Sequence, residues 1–147
     1  MPKPKLIETP EKLYSYFEEY KEYIKTNPRT IDKALQSGKI AKETLRVPLT
    51  MDGFDVYVMN AEGIQSKGVE QYFSNRDGRY SEYVDICTRI KREIRQDQIE
   101  GGMVGQYNPS ITQRLNNLTE KTDITTDGKG INEIKVNIIK PSDTNEK

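Results

Sequence analysis

The sequence predicts a mainly α-helical fold: a helix-turn-helix, long helices suited to oligomerisation, a small β-hairpin over 29–47 and a β segment near the C-terminus. Three observations carry this. Apolar residues recur at helical spacing in separate stretches. Thr, Ser or Asn stands before each stretch as a capping residue, twice with proline directly after it. The third is composition. Only 33% of the 147 residues are hydrophobic and 31% are charged, which is lean for a self-sufficient globule. Either part of the chain is unfolded, or apolar surface is buried against copies of itself.

Residues 1–8 are polar, hold two prolines and read as a flexible arm. Thr9-Pro10 opens a helix whose apolar face is Leu13, Tyr16, Phe17, Tyr20 and Ile24, and Asn27-Pro28 ends it. Residues 29–48 read as two strands around the turn "SGK", or as one weak helix and a loop; the hairpin is preferred. Thr50 caps a helix burying Phe54, Tyr57 and Val58, and Gly63 closes it in the left-handed conformation. Ser66 is then expected to cap a short helix burying Val69, Tyr72 and Phe73, before the turn "SNRDGR". Ser81 is expected to cap a long helix with the stripe Tyr83, Cys87, Ile90 and Ile94. Asn108-Pro109 starts the last helix, with Ile111, Leu115 and Leu118 expected inward. Beyond Thr122, "INEIKVNII" has strand-like residues.

Several chemistries find no support. With no histidine, the commonest zinc ligand and general base is missing. The lone Cys87 lies on an apolar stripe and reads as core, not nucleophile. "DGKG" lacks the upstream glycine and following Ser/Thr of a phosphate-binding loop. No catalytic residue, metal ligand or cofactor is therefore assigned. The N-terminus lacks the apolar run of a signal peptide and no stretch is long enough to cross a membrane, so a reducing, soluble compartment is expected.

Net charge is zero, so any basic footprint must be local. Three local features stand out. Gly63, Ile64, Val69 and Tyr72 fit a helix-turn-helix, although a helical hairpin inside a bundle fits the same pattern. Its second helix would present Gln65, Ser66, Lys67 and Gln71, with Arg76 and Arg79 following, all able to donate to phosphates or base edges. Glu70 among them opposes phosphate. From Arg76 to Arg95 there are six Arg/Lys against four Asp/Glu, which reads first as a solvated, self-paired helix face. Gly101, Gly102 and Gly105 together weaken a helix by about 3 kcal/mol relative to alanine. Close packing at Gly101 and Gly105, within the subunit or between subunits, would offset that loss; a plain hinge is the alternative.

Taken in order, "PLTMDGF", "YFSNRDGRYSEYVDICTRIKREIRQDQIEGGMVGQYNPSITQRL" and, more loosely, "TPEKLYSYFEEYKEYIK" resemble the small subunit of tailed-bacteriophage terminases. The resemblance covers roughly residues 9–120, and the junction from the glycines into Asn-Pro-Ser-Ile is its most specific part. It implies a non-enzymatic ring of about eight to ten copies. Such a ring binds double-stranded viral DNA for packaging and hands it to the terminase large subunit, the ATPase and nuclease, in the host cytoplasm during virion assembly. It further implies four regions: an N-terminal helix and connector (1–48), the helix-turn-helix (49–80), an oligomerisation core (81–120) and a strand or tail (121–147). Ile90, Ile94 and the three glycines fall in that core. Residues Ile131, Ile134, Val136 and Ile138 are the candidates for a strand in an intersubunit β-barrel, or for a peptide docking on the large subunit. Two other classes remain open: a dimeric helix-turn-helix transcriptional regulator and a scaffold that binds no DNA.

Overall fold

A computed structural model describes residues 3–118. The expected C-terminal strand, and with it Ile131, Ile134, Val136 and Ile138, lies outside the described residues. Helix α1 spans Pro10–Thr26 and is capped by Thr9, whose side chain accepts from the Lys12 amide. Strands β1 (Arg29–Ala34) and β2 (Ile40–Leu45) pair antiparallel, with Arg29 opposite Leu45 and Ala34 opposite Ile40. The hairpin reading is thus the one the chain adopts. Helix α2 spans Met51–Glu62, with the Thr50 side chain accepting from Gly53 and Gly63 left-handed at φ 67°. Helices α3 (Glu70–Ser74), α4 (Val84–Met103) and α5 (Pro109–Leu115) follow.

One core draws on the N-terminal segment, α1, α2, α3 and α4. Phe17 of α1 meets Phe54 of α2 edge-on at 5.3 Å between ring centres, while Val58, Val69, Ile90 and Ile94 complete the apolar packing. Within the same core Tyr72, Tyr80 and Tyr83 pack together, with Tyr72 at 4.9 Å from Tyr83 between ring centres. Each buried hydroxyl needs a partner, and the N-terminal segment supplies it. The Ile7 amide donates to the Tyr72 hydroxyl at 2.7 Å, and Tyr83 donates to the Ile7 carbonyl at 2.7 Å.

Four expectations are corrected. The N-terminal segment is not a free arm: Ile7 is wholly buried, and Lys5 pairs with Glu82 while lying 5.0 Å over the Tyr83 ring. Ser66 caps nothing, because α3 starts only at Glu70; the Asp55 carboxylate on α2 takes the Val69 amide instead, at 2.5 Å. Ser81 donates to the Gly78 carbonyl at 2.7 Å and begins a 3-10 turn, Ser81–Tyr83, that leads into α4. Finally, α5 docks by its polar face. Thr112 and Asn116 are buried, whereas Ile111, Leu115 and Leu118 face outward. The reason lies on α4, where Gln98 and Arg95 need partners: Asn116 donates to Gln98 at 3.0 Å, and Arg95 donates to the Asn116 carbonyl at 2.8 Å.

Candidate nucleic-acid interface

The turn between α2 and α3 places the polar residues that the sequence singles out. Gln65 and Ser66 are exposed on it, and Lys67 adopts φ 59°, the left-handed region. Helix α3 has only five residues before Asn75, also left-handed at φ 44°, reverses the chain. That reversal returns Arg76 to α3. Lys67, Gln71 and Arg76 then line one surface cleft of about 150 Å³, together with Glu70 and Ser74. Two cations and one carboxylate leave this patch with one net positive charge.

Arg79 is drawn elsewhere. Its guanidinium donates to the Lys3 carbonyl and stacks 5.7 Å from the Tyr80 ring centre. It fixes the N-terminal segment and does not join the cleft. In a helix-turn-helix the first helix lies across the DNA backbone. Helix α2, which would take that place in the motif expected from the sequence, carries Asp52, Asp55 and Glu62 and no Lys or Arg. Its charge opposes phosphate, so on this side of the molecule the cleft beyond it is the part suited to an anion.

The cations of α4 act largely as fasteners. Arg89 pairs with Glu93 at 3.0 Å and lies 4.6 Å from the Tyr14 ring centre, and Lys91 lies 5.6 Å from that of Phe73. Glu93 also accepts from Lys21 and from the Tyr14 hydroxyl, both at 2.8 Å. Burial alone would raise the Glu93 carboxyl, but the hydrogen bonds from Lys21, Tyr14 and Arg89 outweigh it and hold the group below its ordinary range. The Cys87 thiol is pushed up to about 11, chiefly by burial, with Lys91 opposing; it is a core side chain and not a nucleophile.

Four of the five residues expected to join neighbouring copies, Ile90, Ile94, Gly101 and Gly102, are buried within the protomer. Ile90 and Ile94 belong to the core and present nothing outward. Gly101 is buried beneath the Tyr107 ring, which a Cβ there would overlap, and a Cβ on Gly102 would sit 2.9 Å from Thr112 Cγ2. The small side chains therefore let the chain after α4 fold back on its own helix. Gly105 is not one turn along that face: it lies past the helix end, at φ 77°, with open space where a side chain would point.

Two residues of consequence escaped the sequence reading. Asp55 caps α3 from a distance, and Asp97 binds the Leu49 amide and Arg46, each at 2.9 Å, and the Tyr107 hydroxyl at 3.1 Å. A carboxylate on an otherwise half-buried helix face was the one available signal. Among the described residues no group of three or more His, Cys, Asp or Glu could hold a metal ion, and no helix is long and apolar enough to cross a membrane. No family model matches this chain, and no curated protein matches it either.

Proposed function

We propose that this chain is the small subunit of a viral terminase: a ring-forming DNA-binding protein that engages viral DNA for packaging and recruits the large ATPase–nuclease subunit. The observation that carries it is apolar surface left outside a closed core. Ile31, Ile40, Tyr23, Val56, Ile111 and Leu115 are each exposed by about half or more, while the core residues are covered. A chain so poor in hydrophobic residues that still displays these side chains is suited to burying them in an assembly. The ordered sequence motifs supply the kind of assembly, and Lys67, Gln71 and Arg76 supply a cleft for phosphate. As the second half of a helix-turn-helix, α3 is short, so this cleft serves backbone contact better than base readout.

Native mass spectrometry of the full chain is expected to show about eight to ten copies. A monomer at micromolar concentration would sink the proposal. A stable dimer that binds a short palindrome tightly would favour a transcriptional regulator, and failure to shift any duplex at low salt would favour a scaffold.

A further inference from the structure

The β1–β2 hairpin stands away from the core with almost every residue exposed on both faces. Two-stranded hairpins are marginal by themselves in water, and this one leaves Leu35 and Ile40 bare near its tip, Ile40 at 74% exposure. It is also basic. Residues 29–46 hold five Lys/Arg (Arg29, Lys33, Lys39, Lys42, Arg46) against Asp32 and Glu43, a net charge of +3.

The complement lies between α1 and α2. A groove of about 610 Å³ runs between α1 and α2, lined by Tyr20, Tyr23, Val56, Tyr57 and Asp52 among others, and by no residue of the hairpin. Tyr23 and Val56 are about half exposed there, at 50% and 49%. Helix α2, which forms one wall, has three carboxylates and no cation; of the three, Asp52 lines the groove, while Asp55 accepts from the Val69 amide and Glu62 from the Tyr16 hydroxyl.

We infer that the hairpin of one copy seats in the α1–α2 groove of the next, Ile40 covering Tyr23 and Val56 while Lys42, two residues on and so on the same face of the strand, approaches Asp52. This rests on the assembly reading above and names its contact. Charge complementarity selects the occupant: bare aliphatic side chains gain little against phosphates, whereas an apolar groove edged by the Asp52 carboxylate satisfies both halves of the arm. Arm and groove are different patches of one chain, so the contact is head-to-tail, the kind that closes into a ring when the rotation permits.

The test is charge reversal in the full-length protein, read by native mass spectrometry and sedimentation. Lys42→Glu and Asp52→Lys, each alone, are expected to raise the apparent dissociation constant of assembly by about tenfold or more. Both sites are exposed, so circular dichroism should show an unchanged fold. An equal mixture of the two single variants should reassemble, because each altered arm then meets an altered groove on another copy. Ile40→Asp should weaken assembly without such rescue. Unchanged assembly in both charge variants overturns the inference and leaves the ring intact. Rescue only when both changes sit in one chain places the arm in its own groove and also overturns it. So does a loss of DNA binding in Lys42→Glu at unchanged mass, which makes the hairpin a nucleic-acid arm. A monomeric parent protein removes this contact and the assembly reading together.

Discussion

The Asp97 carboxylate accepts from the Leu49 amide, the Arg46 guanidinium and the Tyr107 hydroxyl, and so ties the base of the hairpin, the entry to α2 and the turn after α4 to one point. Hydrogen bonds to a charged group contribute more than neutral ones, so Asp97→Ala is expected to lower stability by about 2 kcal/mol, measured by urea unfolding. Burial raises the Tyr107 hydroxyl to about 12, with Asp97 adding to the shift, so the ring stays neutral and pinned over Gly101 at physiological pH. Pinning is what makes that glycine intolerant. Gly101→Ala should cost about 1–3 kcal/mol through overlap with the ring, in spite of alanine's better helix propensity. Adding Tyr107→Ala should remove most of that penalty, a non-additivity that a double-mutant cycle reads directly. Equal penalties with and without the ring would mean that the overlap is relieved elsewhere. The sequence shows that small residues are required near 101, but not that their partner is Tyr107, because spacing along a helix says nothing about which segment folds back onto it.

At the scale of elements, α1 and α4 are held together by the cluster of Glu93 with Lys21, Tyr14 and Arg89. The folded carboxyl of Glu93 lies below the unfolded value of about 4.3. Its stabilisation is therefore present above about pH 4.3 and is lost as pH falls through the folded value. Glu93→Gln should flatten the acid side of the stability profile while lowering stability at neutral pH. The alkaline side belongs to the tyrosines. Tyr83 is raised to about 12, first by burial and then by neighbouring Tyr72 and Glu82, and it donates to Ile7. Stability should hold below about pH 10, where the unfolded phenol begins to ionise, and fall from there to about 12. Tyrosinate absorbance followed during unfolding checks this. Elements with local signatures were legible: Thr9-Pro10, Thr50 and Asn108-Pro109 each lie within a few residues of the amide they cap or the turn they open. Those depending on remote partners were not. Asp55 caps α3 across a turn, tyrosines from two later segments bury Ile7, and α5 turns its polar face inward because Gln98 and Arg95 await it. Ile111→Ser should thus leave the protomer's melting temperature nearly unchanged, whereas Thr112→Leu should lower it by overpacking against Gly102.

For the whole molecule, the proposed DNA binding would have to work with zero net charge and a small basic cleft. Each copy offers Lys67 and Arg76, opposed by Glu70, so under the proposed function a lone protomer should hold duplex weakly, and a ring presenting many such clefts should multiply that affinity without any new contact. The salt dependence separates positioning cations from structural ones. Each phosphate contact contributes about 0.9 to the slope of log affinity against log salt concentration. Lys67→Ala with Arg76→Ala should reduce the slope by about two for every copy engaged, with ring mass and melting temperature preserved, since both side chains are exposed. Arg79→Ala should do the reverse. Its guanidinium holds the Lys3 carbonyl and covers Tyr80, so its loss should loosen the N-terminal segment and lower the melting temperature while the slope stays near that of the parent protein. The measurement is a salt titration of duplex binding by fluorescence anisotropy, run on all variants at matched assembly. If Arg79→Ala lowers the slope while the cleft variants do not, DNA approaches from the N-terminal side of Tyr80 and the cleft beside α3 is not its contact.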